Sequence, residues 1–431
     1  HHPTEIEASL HALKDRYNGR LIVVYQPHLY SRTAPLIDEF AAALSLADYV
    51  VLTDIYPARE DPIPGVSSAR IAEKVTKPVQ YIPSRHLLPM KVARLAEPGD
   101  VVVGMGAGNV SEFAPNFIQE LLRGAKKRVA VIYSGDSAER EVSILSGRAI
   151  HAALEKRGYE SRLVDVTELL LSKGDVSQLI GDQRPDLAFL AVHGTHAEDG
   201  AIQGLLELLH IPYTGSGILA SAIAMDKALT KIILDRNGIR VPRGLKLTSP
   251  NDPVTLEAPL VVKPNAQGST VGLSFVETQD ELPKALQKAF YYGEEVLVEE
   301  WIKGTEISTP VLDDEPLLPV EIAPASGYYD FESKYTPGAT EEICPARLPA
   351  DVLEESRQIA LKAHRLLGCA GATRTDMIVR GEEIFVLEVN TLPGMTGTSL
   401  LPNSARACGI DFEELCHRLV EDALRRDAAK T

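Results

Sequence analysis

Val261-Val262-Lys263-Pro264-Asn265-Ala266-Gln267-Gly268-Ser269-Thr270-Val271-Gly272-Leu273 carries a lysine out of a buried, β-branched run, through a glycine- and hydroxyl-rich turn, and into the next strand. A turn of this composition lets backbone N–H groups and hydroxyls approach phosphate oxygens, while the lysine supplies a point charge. An ordinary β-hairpin loop with a solvated lysine fits the segment equally well. The choice rests on residues further along the chain.

Arg374-Thr375-Asp376 is followed, beyond a turn at Gly381, by Glu388-Val389-Asn390-Thr391-Leu392-Pro393-Gly394-Met395. Glu388 and Asn390 are two apart in a strand and share a face. If the hairpin pairs in its simplest register, Asp376 is expected on that face too. Three hard oxygen donors suit Mg²⁺, or Mn²⁺ in its place, with substrate phosphates and waters as the other ligands. The alternative is a solvated acidic face, and apolar Phe385, Val386 and Leu387 argue against it. A third segment, Ser134-Gly135-Asp136-Ser137-Ala138-Glu139-Arg140-Glu141-Val142-Ser143, ends a strand and starts a helix. Its free N–H groups favour an anion, and Glu139 could hold an ammonium group. A capped helix with acidic first-turn residues fits that segment just as well.

Other features exclude function classes. Gly104-Met105-Gly106-Ala107-Gly108-Asn109 follows a strand, but Asn109 stands where a dinucleotide fingerprint needs its last glycine. There is no GxxxxGK[ST] loop. His193 and His196 flank Gly194-Thr195 without the further ligands of a zinc set, and Ser269 has no His/Asp partner nearby in sequence. Cys344, Cys369, Cys408 and Cys416 form neither a CxxC pair nor a disulfide framework, which points to reduced thiols in the cytoplasm. The net charge of −16 argues against broad nucleic-acid binding. No apolar run reaches the ~18–20 residues of a membrane span.

Residues 1 to 124 alternate strand-like and helix-like segments. Leu21-Ile22-Val23-Val24-Tyr25, Tyr49-Val50-Val51-Leu52-Thr53 and Val101-Val102-Val103 read as buried parallel strands, with a helix over residues 35 to 46. That alternation predicts a small Rossmann-like α/β domain. The pattern restarts after Arg123-Gly124-Ala125-Lys126-Lys127 and stays α/β to about residue 226, including a helix over 139 to 157. From Leu260 onward antiparallel-type strands appear, with a long helix over 351 to 367.

From residue 126 to 426 these segments, in this order, resemble the D-alanine–D-alanine ligases of the ATP-grasp superfamily. Ser137 to Ser143, His193 to Gly204, Pro212-Tyr213-Thr214-Gly215-Ser216-Gly217, Met225-Asp226-Lys227, Tyr328 to Tyr335 and Arg374 to Met395 carry the likeness together with the opening stretch. The implied fold is a three-subdomain ATP-grasp ligase: an α/β N-terminal subdomain at 126–214, then α+β central and C-terminal subdomains at 215–303 and 304–427. The implied activity is cytoplasmic condensation of two D-alanine molecules by ATP, through a D-alanyl phosphate, for peptidoglycan precursors.

The resemblance also implies residue roles. Lys227 and Lys263 would grip ATP phosphates under the loop of Gly268, Ser269 and Thr270. Glu299, the backbone near Trp301, and Glu306 would contact adenine and ribose. Asp376, Glu388 and Asn390 would hold two Mg²⁺ ions, with Lys334 assisting from a lid over about 325 to 337. Arg374 and the Gly394 N–H would form the oxyanion site. Glu139 would orient the first D-alanine, with His193 a substrate contact, and Ser399 and Leu400 would receive the carboxylate of the second. Tyr335, linked to Ser269 and Glu139, matches ligases that form dipeptides rather than D-alanine–D-lactate. His196 and Gln267 depart from the usual pattern and put only the loop contacts in question. A homodimer is expected.

Residues 1 to 122 resemble the C-terminal domain of UDP-N-acetylmuramate–L-alanine ligase, a Mur ligase. The carriers are His1-His2-Pro3-Thr4-Glu5-Ile6, Gln26 to Thr33, Asp54 to Glu60, Pro62 to Val66, and Met105-Gly106-Ala107-Gly108. On this likeness the paired histidines are native rather than a tag. Arg32 would help to bind L-alanine, and Leu29 stands where some relatives have a second arginine. That family's P-loop ATPase and UDP-binding domains would lie upstream of residue 1, so this piece is expected to be inactive alone or to serve in docking. For the rest of the chain the alternatives are an ATP-grasp ligase using D-lactate or D-serine as acceptor, or a non-catalytic scaffold.

Overall fold

The computed structural model describes residues 2–122, 127–135, 137, 139–167, 174–194, 196–268, 270–324 and 339–430. It divides into two compact units, His1–Lys126 and Lys127–Lys430.

In the first unit, β1 (Leu21–Gln26), β2 (Tyr49–Leu52), β3 (Val79–Tyr81) and β4 (Val101–Gly106) form a parallel sheet in the order β3-β2-β1-β4. Alternate side chains of β1 enter two different cores. Leu21, Val23 and Tyr25 pack with Ile6, Leu10 and Phe40, while Ile22 and Val24 pack with Leu88, Phe113 and Phe117. A strand covered on both faces has to be apolar throughout, which explains the unbroken run at 21–25. The glycine turn after β4 has a structural explanation as well. A Cβ on Gly106 would lie 2.1 Å from the Gln26 carbonyl oxygen, and its φ is +128°. Among the elements that escaped the sequence reading are β3, the helix Leu88–Leu95, and the helix Pro3–Arg16, which His2 and Glu5 cap reciprocally.

The second unit begins with β5 (Arg128–Tyr133), β6 (Glu160–Asp165) and β7 (Leu187–Leu190), parallel in the order β6-β5-β7. Val129 and Val131 pack against the helix Arg140–Lys156 and the final helix, Phe412–Lys430. Ala130 and Ile132 face the helix Ala201–Leu208 through Ile202 and Leu206.

Next come β8 (Gly244–Leu247), β9 (Leu260–Pro264), β10 (Ser274–Val276) and β11 (Val296–Glu300), antiparallel in the order β10-β9-β11-β8. The helix Leu282–Tyr292 covers one face through Leu282, Leu286 and Ala289. The last sheet contains β12 (Thr305–Leu312), β13 (Glu315–Pro316), β14 (Val320–Pro324), β15 (Thr340–Ile343), β16 (Ala372–Arg380) and β17 (Glu383–Asn390). Its order is β15-β14-β12-β16-β17, with β13 beside β12.

The β16–β17 hairpin corrects one expectation. Arg380 pairs with Glu383 across the turn, and continuing that register would set Asp376 opposite Leu387 and put Glu388 on the other face. A bulge at Leu387 shifts the pairing to Asp376↔Glu388 and Arg374↔Asn390. The three oxygen donors share a face because of this bulge, not because of the simplest register. On the reverse face, Met377, Val379 and Val386 join a core with Ala360 and Ala363 of the helix Ala350–Leu366 and Leu234 of the helix Lys227–Arg236.

Candidate active site

Two adjoining clefts lie in the second unit. The larger has about 970 Å³ of free space and is walled by the β8–β11 sheet and by β12, β16 and β17. Lys227, Lys263, Thr270, Glu299, Trp301, Glu306, Arg374, Asp376 and Glu388 line it. The smaller, of about 470 Å³, shares Lys227, Arg374 and Glu388 and adds Glu139, Glu198, Gly268 and Asn390. Most of the expected residues therefore converge on one continuous region.

In the larger cleft, Lys227 opens its helix just after the N-cap Asp226, whose side chain accepts the Leu229 N–H. Its Nζ donates to the Gln267 carbonyl at 2.7 Å and lies 3.5 Å from Glu388 Oε2. Lys263 Nζ, reaching in from β9, is 2.9 Å from Glu299 Oε2. Lys231 binds the other oxygen of Glu299. These two ammonium groups hold the Glu299 carboxyl below its ordinary pKa against the opposing effect of burial. The Trp301 ring packs 4.8 Å from Phe275, and its backbone N–H is already given to the Pro259 carbonyl. Any nucleotide contact near Trp301 must therefore use another backbone group.

Where the clefts meet, Arg374 holds both oxygens of Asp376, and Ser308 Oγ donates to Oδ1 at 2.6 Å. Asn390 Oδ1 accepts the Leu392 N–H at 2.9 Å. The donor set fits a hard divalent cation: two carboxylates and one amide oxygen on a single face, with Asp376 Oδ2 and Asn390 Oδ1 each accepting one of these hydrogen bonds and so keeping a lone pair.

In the smaller cleft, Glu139 is the N-cap residue of its helix. A Cβ on Gly268 would come within 3.1 Å of Glu139 Oε2, so the loop glycine permits this close approach. Behind it, His193 Nδ1 is 3.0 Å from the Leu392 carbonyl and 3.8 Å from Glu198, while its buried Nε2 has no hydrogen-bond partner among the described residues. Burial, reinforced by the Glu139 charge, pushes the Glu198 carboxyl up in pKa, and His193 opposes that shift.

His193, Gly394, Ser399 and Leu400 do not line either cleft. Ser399 caps the helix Leu400–Ala407, and its Oγ accepts the Thr396 N–H at 3.0 Å. The Leu400 side chain is core, packed with Val320 and Ile322, so only its backbone can face a ligand. Ser269, Lys334 and Tyr335 lie outside the described residues. Sequence reasoning overlooked Lys231 and Glu198. The first left a signal, standing four residues after Lys227 and so on the same helical face; the second sits in a glycine-rich stretch without periodicity.

In the first unit, His28 and Tyr56 stack at 5.9 Å, and Glu60 accepts the Ser31 N–H at 3.0 Å. Arg32 lies in the adjoining turn of helix, Tyr30–Thr33.

Two antiparallel lobes closing on a cleft of lysines, with carboxylates and an amide at its end, define the ATP-grasp class of enzyme. Comparison with known proteins narrows the class. Residues 250–421 match the family model "D-ala D-ala ligase C-terminus", and residues 172–216 match "D-ala D-ala ligase N-terminus". Residues 1–108 match "Mur ligase, glutamate ligase domain". The chain is 47% identical over 310 residues to a D-alanine–D-alanine ligase of Desulforudis audaxviator, covering 70% of this chain and 99% of that protein. Identity to the ligase of Geotalea uraniireducens is 45% over 303 residues, covering 69% and 96%. A crystal structure of D-alanine–D-alanine ligase from Bacillus anthracis complexed with ATP covers 71% of this chain and 100% of that one, with a TM-score of 0.61 and 36% identity. The chain belongs to the D-alanine–D-alanine ligase family, and its first unit is a Mur ligase C-terminal domain.

Proposed function

We propose that the second unit joins two D-alanine molecules at the expense of ATP. The observation that carries this reading is the sharing of Lys227, Arg374 and Glu388 by both clefts. A nucleotide in the larger cleft then meets an amino acid in the smaller one at those three side chains.

In this reading Lys227 and Lys263 bind the phosphate oxygens, and Glu299 and Glu306 face the nucleoside. Asp376, Glu388 and Asn390 would hold Mg²⁺, which when bound supplies positive charge beside the phosphates. Glu139 takes the ammonium of the first D-alanine and turns its carboxylate toward the γ-phosphorus. A carboxylate oxygen bonds to phosphorus as the bond to ADP breaks, giving an acyl phosphate. The amine of the second D-alanine adds to the acyl carbon, phosphate leaves, and the nitrogen gives up a proton. Arg374 and the Gly394 N–H would face the oxyanion formed in that addition. Ser399 and the backbone of Leu400 would hold the second carboxylate, and Ser269, Lys334 and Tyr335 would complete the site.

D-Alanine labelled with ¹⁸O in its carboxylate tests the sequence of steps. Label appearing in the released phosphate supports the acyl phosphate; unlabelled phosphate removes it.

The homodimer reading is supported by exposed apolar side chains such as Leu208 and Leu219, 81% and 72% exposed. Among the described residues no helix is long and apolar enough to cross a membrane. For the first unit we propose docking rather than independent catalysis, as a domain of the L-alanine-adding Mur ligase type.

A further inference from the structure

Glu299 is a buried carboxylate with two cations. Its side chain is 2% exposed; Lys231 bonds one oxygen and Lys263 lies 2.9 Å from the other. The proposed reaction uses Lys263 and Lys227 on phosphate, which leaves Lys231 without a role. Yet Lys231 is 7% exposed, one helical turn beyond Lys227, where an ammonium is costly unless it is paired. Burial pushes it down to about 8 in pKa; the Glu299 charge opposes that shift and Lys263 adds to it.

We propose that Lys231 is a positioning residue for the nucleotide: as the standing counter-charge of Glu299, it leaves the Lys263 ammonium free to bind phosphate oxygens. The proposal rests on the ligase reading of the cleft. A buried carboxylate stripped of its last cation is strongly disfavoured. With Lys231 present, Glu299 keeps a partner whatever Lys263 does. Without it, Glu299 and an incoming phosphate compete for the same ammonium. The geometry supports this division: the lysines come from different elements, a helix and β9, and reach opposite oxygens of one carboxylate. Glu388 and Glu306 also act on Lys263 through space, but Glu299 is the carboxylate that bonds it.

Equilibrium titration with ATP and Mg²⁺, beside steady-state kinetics, tests the idea on the full chain. Lys231→Met should raise the Kd for ATP at least about tenfold, the worth of one charge-assisted hydrogen bond. Its kcat at saturating ATP should stay within about threefold of wild type, because Lys231 touches no reacting atom. Lys231→Arg, which keeps the charge, should bind ATP nearly as wild type does. In a Glu299→Gln background, where the carboxylate bonded to Lys263 is gone, adding Lys231→Met should change Kd by less than about twofold. Wild-type affinity in Lys231→Met, equal losses in both backgrounds, or an Arg variant as weak as the Met variant would overturn the proposal. If Lys231→Met does not fold, the Arg variant and the Glu299→Gln background decide it. Wild-type protein that binds no ATP and shows no D-alanine-dependent phosphate release defeats the ligase reading instead.

Discussion

Arg374 grips Asp376 with two parallel hydrogen bonds, Nε to Oδ1 and Nη2 to Oδ2, each 2.9 Å long. The side chains are 12% and 11% exposed. A fork seated on a carboxylate fixes the orientation of both partners, which a lysine could not do. It also places the guanidinium where the two clefts join.

Arg374→Ala should therefore lower kcat by at least about 10²-fold, the loss expected for an oxyanion donor. ATP affinity should stay within about threefold, because Lys227 and Lys263 remain. Titration with ATP beside turnover assays checks both. A variant that no longer folds, seen as a lost thermal transition, would make Arg374 structural.

Glu198→Gln should stabilise the protein at neutral and alkaline pH. Folding raises this carboxyl above its ordinary pKa, chiefly through burial. Its contribution to stability is therefore complete in acid, below the unfolded-state value, and is lost as pH rises through the folded-state value. Thermal melts of both proteins should converge near pH 4 and separate above it, with the variant higher. A lower Tm for the variant at pH 8 would show that the ionised form is well paired. Because Glu198 lines the smaller cleft, the gain should come with reduced activity.

Gly394→Ala should impair the second substrate and spare the nucleotide. A Cβ there would lie 2.9 Å from Ser399 Oγ, which is already bonded to Thr396 N–H and, at 2.7 Å, to Thr396 Oγ1. Displacing that hydroxyl breaks its bonds to Thr396, in the turn that leads into the helix Leu400–Ala407. The KM for D-alanine should rise about tenfold, worth roughly 1.4 kcal/mol, with the KM for ATP unchanged. Equal effects on both constants would contradict the placement.

Thiol labelling of the native protein should single out Cys408. It is exposed, whereas Cys416 is buried and Cys344 and Cys369 are partly covered. Burial pushes Cys344 and Cys369 up to about 11 and Cys416 higher still, which suppresses the reactive thiolate. One thiol should react rapidly with an aromatic disulfide at pH 8 and the other three only after denaturation. Rapid reaction at two or more sites would mean that the core around Cys416 or Cys369 opens readily.

β1 and β2 were legible because each is buried on both faces and so reads as an apolar run, whereas β3 and β6, short or polar and only partly buried, left no such signal. The phosphate-type turn after Lys263 and the acidic hairpin were legible from residue type and spacing. The bulge at Leu387 was not. No glycine or proline marks it, and period-two reasoning from Gly381 puts Glu388 on the wrong face. Lys231 was missed for a different reason. Its partner Glu299 is 68 residues away, and only the fold brings the two together. Glu198 likewise acquires its character from burial beside Glu139 and His193, which composition does not report.

The central claim is most directly tested by phosphate release from ATP and Mg²⁺ with and without D-alanine, with D-lactate as a parallel acceptor. The account predicts phosphate release that depends on D-alanine, matched by D-alanyl-D-alanine in the product, and slower turnover with D-lactate at neutral pH. Phosphate release indifferent to D-alanine, or equal rates with the two acceptors, would contradict it.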